Sequence, residues 1–98
     1  MKTTPVTAAD LARSVIAVPP FARARNGAAS VSENKKIIDR LSAGGVSTFL
    51  YGGNANFYNL GILEFPLILE ILADIAPPDA WIIPSIGPDF GKALDQVA

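Results

Sequence analysis

Val46-Ser47-Thr48-Phe49-Leu50-Tyr51-Gly52-Gly53-Asn54-Ala55-Asn56-Phe57-Tyr58-Asn59-Leu60 is the stretch around which the rest of this chain is organised. It begins as an apolar, β-branched and aromatic run, the composition of a strand covered on both faces. At Gly52-Gly53 it breaks into a loop with three asparagines, two aromatics and no charge. An apolar helical pattern follows from Ile62 to Ala76. Strand, glycine turn, polar loop and helix, in that order, put the loop at the carboxyl end of a buried strand. That is where α/β proteins assemble binding sites.

Downstream, Gly61 is the expected N-cap of the helix over 62–76, with Glu64 at its third position and Leu60 and Phe65 as a hydrophobic staple. Pro77-Pro78 ends it, Ala80 to Pro84 reads as a strand, and Ser85-Ile86-Gly87-Pro88-Asp89 turns the chain into a last helix, Phe90 to Val97, capped by Asp89. Upstream, Ser30-Val31-Ser32-Glu33 has the form of a capping box for a helix over 32–43, which Gly44-Gly45 closes. Residues 14–18 form a short strand that stops at Pro19-Pro20, and Phe21 to Ser30 is a loop turning at Asn26-Gly27. Thr7, with Asp10 three residues on, caps a short helix in an N-terminal extension over 1–13. Strand and helix recur every roughly 30–35 residues, the length of a βα step in a parallel sheet. The expectation is a single α/β unit over 1–98 of about three βα steps, with parallel strands near 14–18, 46–51 and 80–84. Pairing in the order 1-2-3 fits a barrel segment, whereas 2-1-3 marks a flavodoxin-like sheet.

Half the residues are apolar and 17% are charged, which excludes a disordered tail. No apolar run reaches the roughly 18–20 residues of a membrane span, and Met1-Lys2-Thr3-Thr4-Pro5 lacks the apolar core of a signal peptide. No membrane partner and a cytoplasmic location are the resulting expectations. The net charge is −1 with eight scattered basic residues, which argues against nucleic acid. With neither cysteine nor histidine, thiolate and imidazole chemistry are excluded, and no metal site or cofactor is expected. Asp, Glu, Lys, Arg, Tyr, Ser, Thr and Asn remain to carry any chemistry.

Val15-Ile16-Ala17-Val18-Pro19-Pro20-Phe21, Gly27, Gly45-Val46, Gly52, and Leu60 with Glu64 together resemble the start of the dihydrodipicolinate synthase / N-acetylneuraminate lyase family. That family opens with a strand ending in Thr-Pro-Phe or Thr-Pro-Met. A helix, Gly-Val, a strand ending in Gly-Thr/Ser-Thr-Gly-Glu and then Leu-Ser-x-x-Glu follow. Ser85-Ile86-Gly87 resembles the glycine turn after the family's third strand. The resemblance runs over about residues 11–98 and implies the N-terminal part of a (β/α)8 TIM barrel, a fold of about 250 residues. It implies a Schiff-base lyase, an aldolase or dehydratase acting on a 2-keto acid such as pyruvate or a sugar-acid derivative, homo-oligomeric in its full-length form. The family's Schiff-base lysine lies on the sixth strand and its tyrosine on the fourth, both beyond Ala98, so no catalytic residue is expected here.

What the resemblance does carry over is the loop after the second strand. In the family its Thr/Ser-Thr pair binds the keto-acid carboxylate through backbone N–H groups and hydroxyls. Gly53 and Asn54 occupy those positions, with Pro19, Tyr51, Gly52 and Asn56 as further lining residues. Backbone donors survive such substitutions, and glycine admits close approach of an anion. An asparagine amide does not replace a proton-passing hydroxyl. The residues alone also admit a structural reading: Asn54, Asn56 and Asn59 suit left-handed turns, Phe57 and Tyr58 suit packing, and Tyr51 can face either side of its strand. A non-catalytic α/β module binding a small anion is the alternative function.

Overall fold

The computed structural model describes residues 1–98 as four helices and one three-stranded sheet: α1 (Ala8–Ala12), β1 (Ile16–Ala17), α2 (Val31–Ala43), β2 (Thr48–Tyr51), α3 (Glu64–Ile75), β3 (Trp81–Pro84) and α4 (Phe90–Val97). All pairings are parallel and the strand order is β1-β2-β3. Ile16 lies opposite Thr48, and Thr48 opposite Trp81, so the three strands share one register. The flavodoxin-like order 2-1-3 is not formed. β1 spans only two residues, shorter than the run over 14–18, because the proline pair ends its pairing and Val15 and Val18 sit at an exposed edge.

The side-chain alternation of β2 decides where the core lies. Phe49 and Tyr51 are fully buried and share one cluster with Ile38 of α2 and with Phe65, Ile68, Leu72 and Ile75 of α3. Ala17 and Ile82, the register partners of Phe49, pack against the same cluster. Both crossing helices therefore cover one face of the sheet, and Thr48, Leu50, Trp81 and Ile83 belong to the other. Truncating Leu72 removes a fully buried side chain from between helix and sheet, a change that costs about 2–5 kcal/mol at such sites.

Local chemistry sets the ends of the elements. α2 closes in a Schellman arrangement: the Val46 N–H donates to Leu41 O and the Gly45 N–H to Ser42 O, with Gly45 at φ +93°. At its start, Ser30 Oγ accepts from the Glu33 N–H at 3.3 Å. The reciprocal half of the expected capping box is absent. The Ser30 N–H donates instead to Ala22 O, and the Glu33 carboxylate pairs with Lys36. The 21–30 loop is the reason, since it folds back as a tight hairpin with Arg23 bridged to Ala29 and Gly27 at φ +84°. Buried Asn34 fastens this hairpin to α2, accepting from the Ala22 N–H at 2.8 Å and donating to Ala22 O and Ser30 O. Asp89 makes no side-chain cap at α4; only its backbone carbonyl accepts, from the Ala93 N–H.

The N-terminal extension is tied beneath the amino ends of the strands. The Met1 ammonium donates to Ala76 O at 2.9 Å, and Lys2 and Arg13 pair with Asp10 and Asp79. Asp10 accepts from the Thr7 N–H at 2.7 Å and from the Thr7 hydroxyl at 3.1 Å. No helix is long and apolar enough to cross a membrane.

Candidate functional site

At the carboxyl end of β2, the chain after Tyr51 makes two short 3-10 turns, Gly53–Ala55 and Phe57–Asn59, hinged at Asn56. Asn56 adopts a left-handed conformation, φ 60°, which asparagine tolerates better than most residues. Its Oδ1 accepts from Asn59 Nδ2, so this pair shapes the hinge. Ala55, Phe57 and Leu60 point into the core and anchor the turns, leaving Gly53, Asn54 and Tyr58 outside. Phe57 stacks edge-on to Phe21 and Phe65, with ring centroids 6.3 and 6.1 Å apart.

The loop lies across the carboxyl ends of its neighbours. Asn54 Nδ2 donates to Val18 O at 3.0 Å, joining it to the end of β1 beside Pro19. On the other flank, Lys92 of α4 donates through Nζ to Tyr58 O at 2.6 Å. The Ser85 N–H donates to Tyr51 O at 2.9 Å, extending the β2–β3 ladder to the start of the loop. Within this frame the N–H groups of Gly52, Gly53 and Asn54 donate to no acceptor in the chain, while those of Ala55, Asn56 and Phe57 turn back to Gly52 O and Gly53 O. Gly53 and Asn54 are exposed at the start of the first 3-10 turn, where N–H groups have no acceptor within the turn and are open to water or to an anion.

Gly52 has a steric requirement as well. A Cβ built there would lie 2.8 Å from Ser85 Oγ, 3.2 Å from Leu50 Cδ2 and 3.8 Å from Tyr58 Oη. A Cβ at Gly53 would meet only the Tyr58 ring, at 3.6 Å. Tyr58 therefore lies over the glycine pair.

Gly52, Gly53 and Asn54 stand together, and Pro19 is buried beside the β1 end that Asn54 contacts. The Asn54 amide already serves a backbone carbonyl, so the residue offers a ligand its main-chain N–H first. Asn56 is occupied with Asn59 and shapes the turn. The Tyr51 ring is turned away from the loop into the helix-facing core, 6.4 Å from Phe21 and 5.7 Å from Phe57. Its hydroxyl is buried without a partner, and that desolvation pushes its pKa up to about 12. Arg23 is engaged by Glu64 and by Gly27 O.

Three participants at the site were missed in the sequence. Lys92 reads there as one more helix lysine, Ser85 as a turn residue and Tyr58 as packing; no spacing rule links them to Gly52-Gly53. No group of three or more acidic residues is placed to hold a metal ion. Compared with protein-family models, curated proteins and solved structures, the chain matches none.

Proposed function

We propose that this chain forms the N-terminal part of a (β/α)8 barrel lyase resembling the dihydrodipicolinate synthase / N-acetylneuraminate lyase family, and that its loop after β2 binds the carboxylate of a 2-keto acid. The observation that carries the reading is the run of three unpaired N–H groups, Gly52 to Asn54, held across the strand ends of a parallel sheet. The order β1-β2-β3 with both crossing helices on one face is the arrangement a barrel segment requires. Pyruvate or a sugar-acid derivative is the substrate class, and a cytoplasmic homo-oligomer is the setting.

Within these residues the role is binding and orientation. A carboxylate over Gly52-Gly53-Asn54 receives two or three main-chain hydrogen bonds, each stronger than a neutral pair because the acceptor is charged. Such a clamp fixes the keto carbon for attack by a lysine carried on another strand. None of the lysines here serves as that nucleophile: Lys2 lies at the opposite end of the sheet, Lys35 and Lys36 form helix-surface ion pairs, and Lys92 binds Tyr58 O.

The test is borohydride trapping of the natural gene product with pyruvate, followed by mass mapping. A reduced lysine adduct is the expected result. Pyruvate-dependent shifts of the Gly52–Asn54 amide resonances without any adduct would overturn the lyase reading in favour of a non-catalytic anion-binding module. The Asn54 amide, spent on Val18 O where the family carries a hydroxyl, is the feature that keeps this second reading in play.

A further inference from the structure

We propose that the 98-residue chain associates head to tail with copies of itself, the outer edge of β3 in one copy pairing with the outer edge of β1 in the next. The inference concerns the two edges of the sheet and does not rest on what the loop after β2 binds. Further strands of a longer product would pair the same two edges; in this chain by itself a second copy takes them. In the order β1-β2-β3 only the middle strand has a partner on both sides, and an open strand edge is a template for another strand. Away from β2, the one main-chain bond at β3 runs from the Lys2 N–H to Ala80 O, just before the strand begins.

Each edge also leaves a groove beside its covering helix. The groove between β1 and α2 measures about 380 Å³ and is lined by Ala17, Val18, Pro20, Ile37 and Leu41, with Arg40. The groove between β3 and α3 measures about 390 Å³ and is lined by Met1, Leu69, Ala73, Ile82 and Pro84, with Glu70. Both are apolar apart from one charge, and the ion pairs of the chain use neither Arg40 nor Glu70.

Those two charges choose the partner edge. Pairing β1 with β1 brings two Arg40 guanidiniums together, and pairing β3 with β3 brings two Glu70 carboxylates together. Only β3 with β1 sets opposite charges on the two sides of the seam. Their heights agree as well: Glu70 lies six residues past Glu64, the start of α3, and Arg40 nine past Val31, the start of α2, a difference of less than one helical turn. α4 supplies the cover. It follows β3, so a right-handed crossover to a further parallel strand carries it over this seam. Phe90, Leu94 and Val97 recur at i, i+4 and i+7 along one side of it and are 79%, 55% and 71% exposed. Two apolar grooves brought together are the surface that such a stripe covers.

The experiment is sedimentation velocity of the 98-residue chain across a dilution series, for wild type, Arg40→Glu, Glu70→Arg, the double reversal and Leu94→Asp. All three positions are exposed, and circular dichroism shows that each variant is folded. Wild type is expected to form oligomers that dissociate on dilution. Each single reversal is expected to weaken association roughly tenfold, and the double reversal, which restores opposite charges, to return it to near wild type. Leu94→Asp is expected to weaken it by a similar factor. A wild type that stays monomeric overturns the inference, as do oligomers indifferent to both single reversals or a double reversal no tighter than the singles. Association unaffected by Leu94→Asp removes α4 from the seam.

Discussion

Tyr51→Phe isolates a single buried group and separates a core role from a chemical one. The Tyr51 side chain is 0% exposed, packed between Phe21 and Phe57, and its hydroxyl finds no partner. A buried hydroxyl without a hydrogen bond costs about 1–3 kcal/mol. Removing it leaves the ring contacts intact, so the variant is expected to be more stable than wild type by about 1 kcal/mol near pH 8. The pH dependence gives a second arm. Desolvation raises the folded-state pKa from 10 to about 12. The neutral phenol is thus favoured by the fold: its stability contribution is whole below pH 10 and is lost as pH rises from 10 towards 12. Wild type therefore loses up to about 2.7 kcal/mol relative to Tyr51→Phe across that window. Tyr58 is common to both proteins and cancels. Urea unfolding followed by Trp81 fluorescence at pH 8 and pH 11.5 measures both effects. A variant less stable than wild type by 1 kcal/mol at pH 8 would show that the hydroxyl is bonded. Equal alkaline losses in the two proteins would show that it is not desolvated.

Gly53→Val has room at its Cβ but brings bulk against the Tyr58 ring at the rim of the donor row, so the Michaelis constant of the full-length protein for a keto acid is expected to rise. Steady-state kinetics on that variant checks it, and unchanged constants count against the carboxylate assignment. Gly45→Ala meets no atom within 4 Å, and its φ of +93° is the whole problem; a loss of about 1 kcal/mol is expected. Gly91→Ala also meets nothing, but in an ordinary helical position, and should gain roughly 0.5–1 kcal/mol. Opposite shifts in thermal midpoint test the pair. The Thr7 N–H, foremost, holds the Asp10 carboxyl below the usual carboxylate range, with the Lys2 ammonium adding to it. Its contribution is present above the unfolded value of 3.8 and is lost as pH falls through the folded one. Asp10→Asn should therefore speed hydrogen exchange at Thr7 at pH 6, with the difference fading below about pH 3.8.

The sequence by itself determined whatever depends on neighbours along the chain. Gly44-Gly45 had to end α2 because a left-handed residue closes its last carbonyls, and Pro19-Pro20 had to end β1 because proline donates to no ladder. The periodic run after Leu60 is helical as expected, but from Glu64 with Leu63 as its N-cap rather than from 62 with Gly61, because Pro66 has no N–H to close the first turn; the Glu64 and Phe65 N–H groups still donate to Gly61 O. The existence of the loop after β2 and its place at a strand end were legible for the same reason.

Tertiary structure alone decided which way each face turns and what meets across the chain. From Val46 to Tyr51 the residues are apolar, aromatic or small hydroxyl types without a clear polar/apolar alternation, so the local pattern does not say which face Phe49 and Tyr51 take against Thr48 and Leu50. Packing of Ile38, Ile68 and Leu72 chose the first pair for the core and turned Tyr51 away from the loop. The second half of the capping box at Ser30 was lost because the hairpin offered Ala22 O to the same N–H. Asn54 with Val18, Lys92 with Tyr58, and Ser85 against Gly52 join residues that propensity and spacing leave unrelated. Such contacts exist only once parallel pairing has set three strand ends side by side, and no local rule encodes that pairing.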